Sequence, residues 1–158
     1  MKTNEILIIV GLVFLLMIAF FIFSSKAGKK QISITTEEGK EIIVDAEIAK
    51  SIPDQMKGLM WRDKIGENEG MLFVFSTQRK QIFWMMNTTI PLEALHFSEN
   101  GQLVDIVKMD PCKSIMNCPQ YVPKAEAKYV LEVKQGFSQK NKIETLKSRL
   151  KIEELDKK

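Results

Sequence analysis

Residues 58–97, GLMWRDKIGENEGMLFVFSTQRKQIFWMMNTTIPLEALHF, constrain the fold of this chain more than any other stretch. Their two apolar runs, 71–75 and 82–86, are short and bounded by polar or glycine-containing segments. Runs of that length between such boundaries read as strands buried on at least one face. Trp84 sits in the middle of the second run, the expected central strand, so its ring is expected inside. A surface position would favour a ligand cleft instead.

The same grammar recurs along the chain. Ile32 and Ile34 alternate with polar residues, and Ile42, Ile43 and Val44 follow Glu38-Gly39-Lys40, which predicts a hairpin turning at Gly39. Asn100-Gly101 separates residues 92–97 from 103–109, a second hairpin signal. Residues 76–80 read as a turn, and 129–133 as a later strand. Between strands, Ser51 and Asp54 have capping-box spacing, with Pro53 in a first turn that tolerates it. Ile52, Met56, Leu59 and Met60 then form one helical stripe, interrupted by Gly58. Many short strands and one short helix predict a mainly β fold, a compact barrel or sandwich. With 45% hydrophobic and 27% charged residues, the chain has the composition of a packed body, not of a disordered one.

Residues 6–23 carry no charge, no strongly polar side chain and no proline. As a helix they would span about 27 Å, close to the hydrocarbon thickness of a bilayer. They predict an N-terminal transmembrane helix contacting membrane lipid, with 1–30 as anchor and linker and 31–158 as one β-rich globular domain. A cleaved signal peptide is the competing reading, although the run exceeds the usual h-region. Lys26, Lys29 and Lys30 outnumber the basic groups on the other flank, which favours a cytoplasmic domain.

Gly58-Leu59-Met60, Arg62, residues 70–75, Phe83-Trp84-Met85, Asn87-Thr88 and Ile90-Pro91-Leu92 come in an order that resembles the domain of unknown function 192 family. Pro111-Cys112, Cys118-Pro119, Tyr121, residues 129–133 and Gly136-Phe137 extend the resemblance over about 32–152. It implies a compact β-rich fold, often behind an export signal or membrane anchor, with no established activity. The chain departs from the pattern at Gln55, where an arginine is usual, at Met86 (lysine), Glu93 (aspartate) and His96 (an aromatic).

Cys112 and Cys118 are the only cysteines. A disulfide between them would close a loop of about seven residues and point to an oxidising compartment, hence an extracytoplasmic domain. Two free thiols in a reducing compartment are the alternative, since C-x5-C is neither a redox C-x-x-C nor a zinc set. His96 is the sole imidazole, expected on the strand face shared with Leu92 and Ala94. No G-x-S-x-G elbow or phosphate-binding glycine loop accompanies it. A small hydrolase or other enzyme using His96 is therefore the second functional reading. The first is a non-catalytic binding or interaction module. Its candidate ligand-binding residues are Arg62, Trp84, Met85, Asn87 and Glu93, with Trp61 beside them, taking an unknown small molecule or protein. The competing reading makes Arg62 and Glu93 a structural pair and Asn87 a turn cap. Met85 and Met86 would face opposite sides of a strand, and Met71 and Met85 read as core filler rather than as copper ligands, so no metal or other cofactor is expected. A net charge of +3, with no basic run interleaved with aromatics, argues against nucleic acid. Leu150-Lys151-Ile152 is expected in a closing strand.

Overall fold

The computed structural model describes residues 28–112, 115–152 and 155. The expected membrane helix lies outside them, and among the described residues no helix is long and apolar enough to cross a membrane.

Alternation dictates the sheet. In Glu41–Ala49 (β2), Ile42, Val44 and Ala46 point to one side and intervening residues to the other. Lys30–Thr35 (β1) pairs with it antiparallel across the turn at Gly39, whose φ of 76° fits the glycine there. Glu69–Arg79 (β3) lies parallel to β2 and antiparallel to Ala127–Lys134 (β8). Leu92–Phe97 (β5) pairs with β8 and, through the Asn100-Gly101 turn, with Leu103–Met109 (β6). With Arg149–Leu150 (β9) against β1, the order is β6-β5-β8-β3-β2-β1-β9, a seven-stranded sheet curled into a half-barrel.

Its two edges meet at one end. Leu150 N–H donates to Gly101 O (2.8 Å) and Leu103 N–H to Ser148 O (3.0 Å), beside a bridge between Gln102 and Arg149. Gly101 is required there, because its φ is 82° and a Cβ would lie 2.5 Å from Leu150 O.

The curl separates two cores. The concave side holds Ile32, Ile34, Val44, Leu72, Leu95, Phe97, Leu131 and Val133, closed by Phe137 of the short helix Phe137–Lys140. The convex side holds Phe73, Met71, Met85, Leu92, Met109 and Val130. Over it lie the Ile52–Lys57 helix, the loops after it, and a separate two-stranded ladder, Phe83–Trp84 (β4) with Gln120–Tyr121 (β7).

Three expectations need correction. The second apolar run is no central strand, because only Phe83 and Trp84 pair, and they pair outside the main sheet. Residues 76–80 are not a turn: β3 runs on to Arg79 past a register shift. Finally, the helix ends at Lys57, where Gly58 caps it with a φ of 48°. That break turns Leu59 and Met60 inward and leaves Ile52 and Met56 in solvent. The capping box forms as expected, with Asp54 N–H donating to Ser51 Oγ (3.3 Å).

Candidate functional site

Register aligns the convex face into rows. One reads Glu47, Met71, Glu132, Ala94, Val107 across five strands, and the next reads Ala49, Phe73, Val130, His96, Asp105. Adjacent strands lie about 4.8 Å apart. Glu132 is thus at the centre of the face, between Met71 and the small Ala94.

The Glu132 side chain is 4% exposed, and among the described residues no hydrogen bond or ion pair reaches it. Every fully enclosed side-chain nitrogen or oxygen there has a partner, so the Glu132 carboxyl retains a sliver of solvent access at its tip. Burial pushes its pKa up to about 8, because an ionised carboxylate is poorly solvated among Met71, Phe73 and Leu59. Gly58 lies over it: a Cβ there would sit 3.9 Å from Glu132 Oε2 and 3.4 Å from Phe73 Cζ. The backbone of Gly58, with φ 48° and ψ −134°, is one that side-chain-bearing residues avoid.

The rim is polar and strained. Arg62 makes a bidentate bridge to Glu47, at 2.6 and 2.7 Å. The guanidinium holds the Glu47 carboxyl below its usual range. Trp61 (φ 59°) and Asn87 (φ 54°) are both left-handed and joined, Trp61 N–H donating to Asn87 O at 2.8 Å. Such conformations cost about 1–3 kcal/mol each for non-glycine residues and gather at functional sites. Thr89 Oγ1 ties the same two loops by donating to Arg62 O (3.3 Å). Both tryptophans face water, Trp61 at 69% and Trp84 at 49% exposure.

The candidate residues therefore divide. Arg62 and Asn87 belong to two loops tied together at the rim, Met85 is buried in the convex core, and Trp84 is half in solvent. The expectation of an interior Trp84 is wrong, because the short β4 lies at the surface. Glu93 is elsewhere. It lies on the concave side and accepts from Ser138 N (2.5 Å), Ser138 Oγ (3.1 Å) and Gly136 N (3.3 Å), anchoring the start of the Phe137–Lys140 helix. Arg62 pairs with Glu47 and not with Glu93, since the sheet separates them.

Sequence reasoning missed Glu132 and Glu47. The signal for Glu132 was an acid inside the apolar run Tyr129-Val130-Leu131-Glu132-Val133. Gln55, at the position where arginine is usual in the resembling family, donates to Ala49 O (3.3 Å) and Val74 O (3.0 Å), pinning the exposed helix to β2 and β3.

His96 is 1% exposed on the face of Leu92 and Ala94. Its Nδ1 lies 3.1 Å from Ala94 O, its Nε2 3.4 Å from Gln81 O, and its ring meets Phe83 edge-on at 5.9 Å. Burial lowers its pKa. Its hydrogen-bonding neighbours are carbonyl oxygens rather than a hydroxyl or thiol nucleophile. Cys112 and Cys118 form a disulfide, with Cα atoms 5.0 Å apart, beside the convex core.

The family model DUF192, described as "Uncharacterized ACR", matches residues 33–149. Among solved structures, the chain resembles a candidate transcription regulator from Sinorhizobium meliloti 1021, with 23% identity, a TM-score of 0.68, and 80% of this chain and 97% of that one covered. It also resembles a protein of unknown function from Novosphingobium aromaticivorans DSM 12444, with 24% identity, a TM-score of 0.69, and coverage of 78% and 84%. At such identities the likeness is one of fold alone. No curated protein sequence matches the chain.

Proposed function

The chain belongs to the uncharacterised DUF192 family, and from that premise we propose a non-catalytic binding module of the cell envelope, held at the membrane through residues 6–23. One observation carries the binding role: the Glu132 carboxyl lies among apolar side chains without a partner, beneath a glycine. Solvated only at its tip, the carboxyl is left with little of its hydration, which a ligand donating to or accepting from it would replace. A site of that make-up takes a small molecule with an apolar body and a polar head. Arg62 and Asn87 set the rim, and Trp84 and Trp61 offer aromatic surface.

The disulfide supports an extracytoplasmic domain, because such bonds persist in oxidising compartments. The lysines at 26, 29 and 30 pull the other way, yet a large domain can translocate past a modest charge bias.

Thermal-shift screening of the full chain in detergent, beside Glu132→Gln, tests the site. A ligand that raises the melting temperature of the parent and not of the variant supports it. Ligands that stabilise both alike place binding elsewhere on the molecule and sink the Glu132 site.

A further inference from the structure

The first half of the expected helix stripe, Ile52 and Met56, points outward instead of packing inward. Ile52 is 72% exposed and Met56, one turn on, 71%. No residue of the Ile52–Lys57 helix is buried. Trp61, four residues beyond the helix, is also exposed, and its left-handed backbone is held by the Asn87 carbonyl, so the fold accepts strain at a bulky residue whose indole faces water. Scattered exposed apolar residues are ordinary. Ile and Met on one helical face, with a tryptophan close behind in sequence, mark a contact surface.

The covalent path of the chain says what covers it. Lys29, just before β1, bridges Glu69 at 2.5 Å. Lys29, Lys57 and Arg62 all act electrostatically on the Glu47 carboxyl. The point where the N-terminal segment joins the domain and the end of the exposed helix therefore lie within electrostatic range of the Glu47 carboxylate, which Arg62, the neighbour of Trp61, bridges directly. From residue 23, the last of the apolar run, to residue 30 the chain can reach at most about 25 Å. With residues 6–23 in a bilayer, this surface is confined to the neighbourhood of the headgroups. Its chemistry suits that layer: apolar side chains and a tryptophan, with exposed lysines at 50, 57 and 64 in the same stretch outnumbering the exposed Asp54 and Asp63.

We propose that Ile52, Met56 and Trp61 form a membrane-contact surface seated in the headgroup layer of the bilayer that anchors the chain, with Lys50, Lys57 and Lys64 against anionic lipid. The proposal rests on residues 6–23 being an anchor, and its test separates the two.

The full chain carrying Trp84→Phe, in which Trp61 is the only indole, is reconstituted into phosphatidylcholine–phosphatidylglycerol vesicles with ordinary or brominated acyl chains. Cosedimentation reads the anchor, and loss of Trp61 emission to brominated lipid reads the contact. The expected result is cosedimentation with emission reduced to about half, the depth of an interfacial side chain. Adding Ile52→Ser and Met56→Ser, both at exposed positions, should restore much of that emission while cosedimentation persists. The unsubstituted chain, whose Trp61 and Trp84 both emit, provides a second reading should the Trp84 variant fold poorly. Cosedimentation with unquenched Trp61 overturns the contact surface and leaves the anchor standing. Absence of cosedimentation overturns both. Trp61 emission shifted to the blue equally in both lipids, with cross-linked dimers, would assign the surface to a second copy and overturn the proposal.

Discussion

Burial of a carboxyl without a partner gives Glu132 a definite influence on how stability varies with pH. Its pKa of about 8 in the folded chain exceeds the ordinary 4.5, so between those values the folded state keeps a proton that the unfolded chain has released. The stability this group contributes is complete below about pH 4.5 and is lost as pH rises through 8. The full difference amounts to about 5 kcal/mol at 1.36 kcal/mol per unit. Denaturation midpoints measured from pH 5 to 9 should fall in the parent and much less in Glu132→Gln; equal slopes would mean that the carboxyl is solvated or paired. Glu47 acts in the opposite sense, since Arg62 lowers its pKa and its contribution disappears as pH drops through that lowered value. Among the aromatics, burial decides the cost of truncation. Phe73, 2% exposed, should lose about 3–5 kcal/mol on Phe73→Ala. Trp84→Ala, at a half-exposed site, should cost less than about 1 kcal/mol by urea denaturation. A loss at Trp84 as large as at Phe73 would put its ring in the core.

Among elements, the covering over the convex face is the least regular part of the described chain. β4 and β7 pair through two residues each, and the disulfide fastens the segment between β6 and β7. Closing about seven residues contributes roughly 2 kcal/mol by loss of unfolded-state entropy. Cys112→Ser with Cys118→Ser should therefore lower stability by about that amount, read as a lower midpoint in denaturant, with the far-ultraviolet spectrum of the main sheet retained. Loss of the whole β spectrum would show that the loop nucleates the sheet.

For the whole molecule, both edges of the half-barrel and both cores are built from described residues after Gly28. A fragment of residues 28–158 should be soluble and unfold cooperatively; a fragment that is unfolded in buffer would contradict the division into anchor and domain. Orientation is read in intact cells with a membrane-impermeant thiol reagent. Labelling of Cys112 and Cys118 only after reduction fits an outward, oxidised domain. Labelling that requires lysis would place the domain inside.

Much of the architecture was legible because it depends on neighbours in sequence. The hairpins at Gly39 and Asn100-Gly101, the capping box at Ser51 and the alternation in β2 follow from local backbone sterics and side-chain period. The aromatic run at 82–86 misled for the same reason: its composition suits a buried strand, yet the central position is taken by β3, between β2 and β8, and its pairing with β8 spans distant residues. The site was legible only in part. Arg62 and Asn87 could be singled out as polar residues in apolar company, but their partners, Glu47 and the Trp61 backbone, are 15 and 26 positions away. Local pattern was enough for most strands, for the turns at Gly39 and Asn100-Gly101 and for a mainly β fold, because those are set by short-range geometry. That Glu93 faces one core and Glu132 the other, that Gly58 lies over Glu132, and that Ile52 and Met56 face outward follow from long-range assembly alone. Each depends on strand order and on the direction the chain takes after a glycine, which no local pattern encodes.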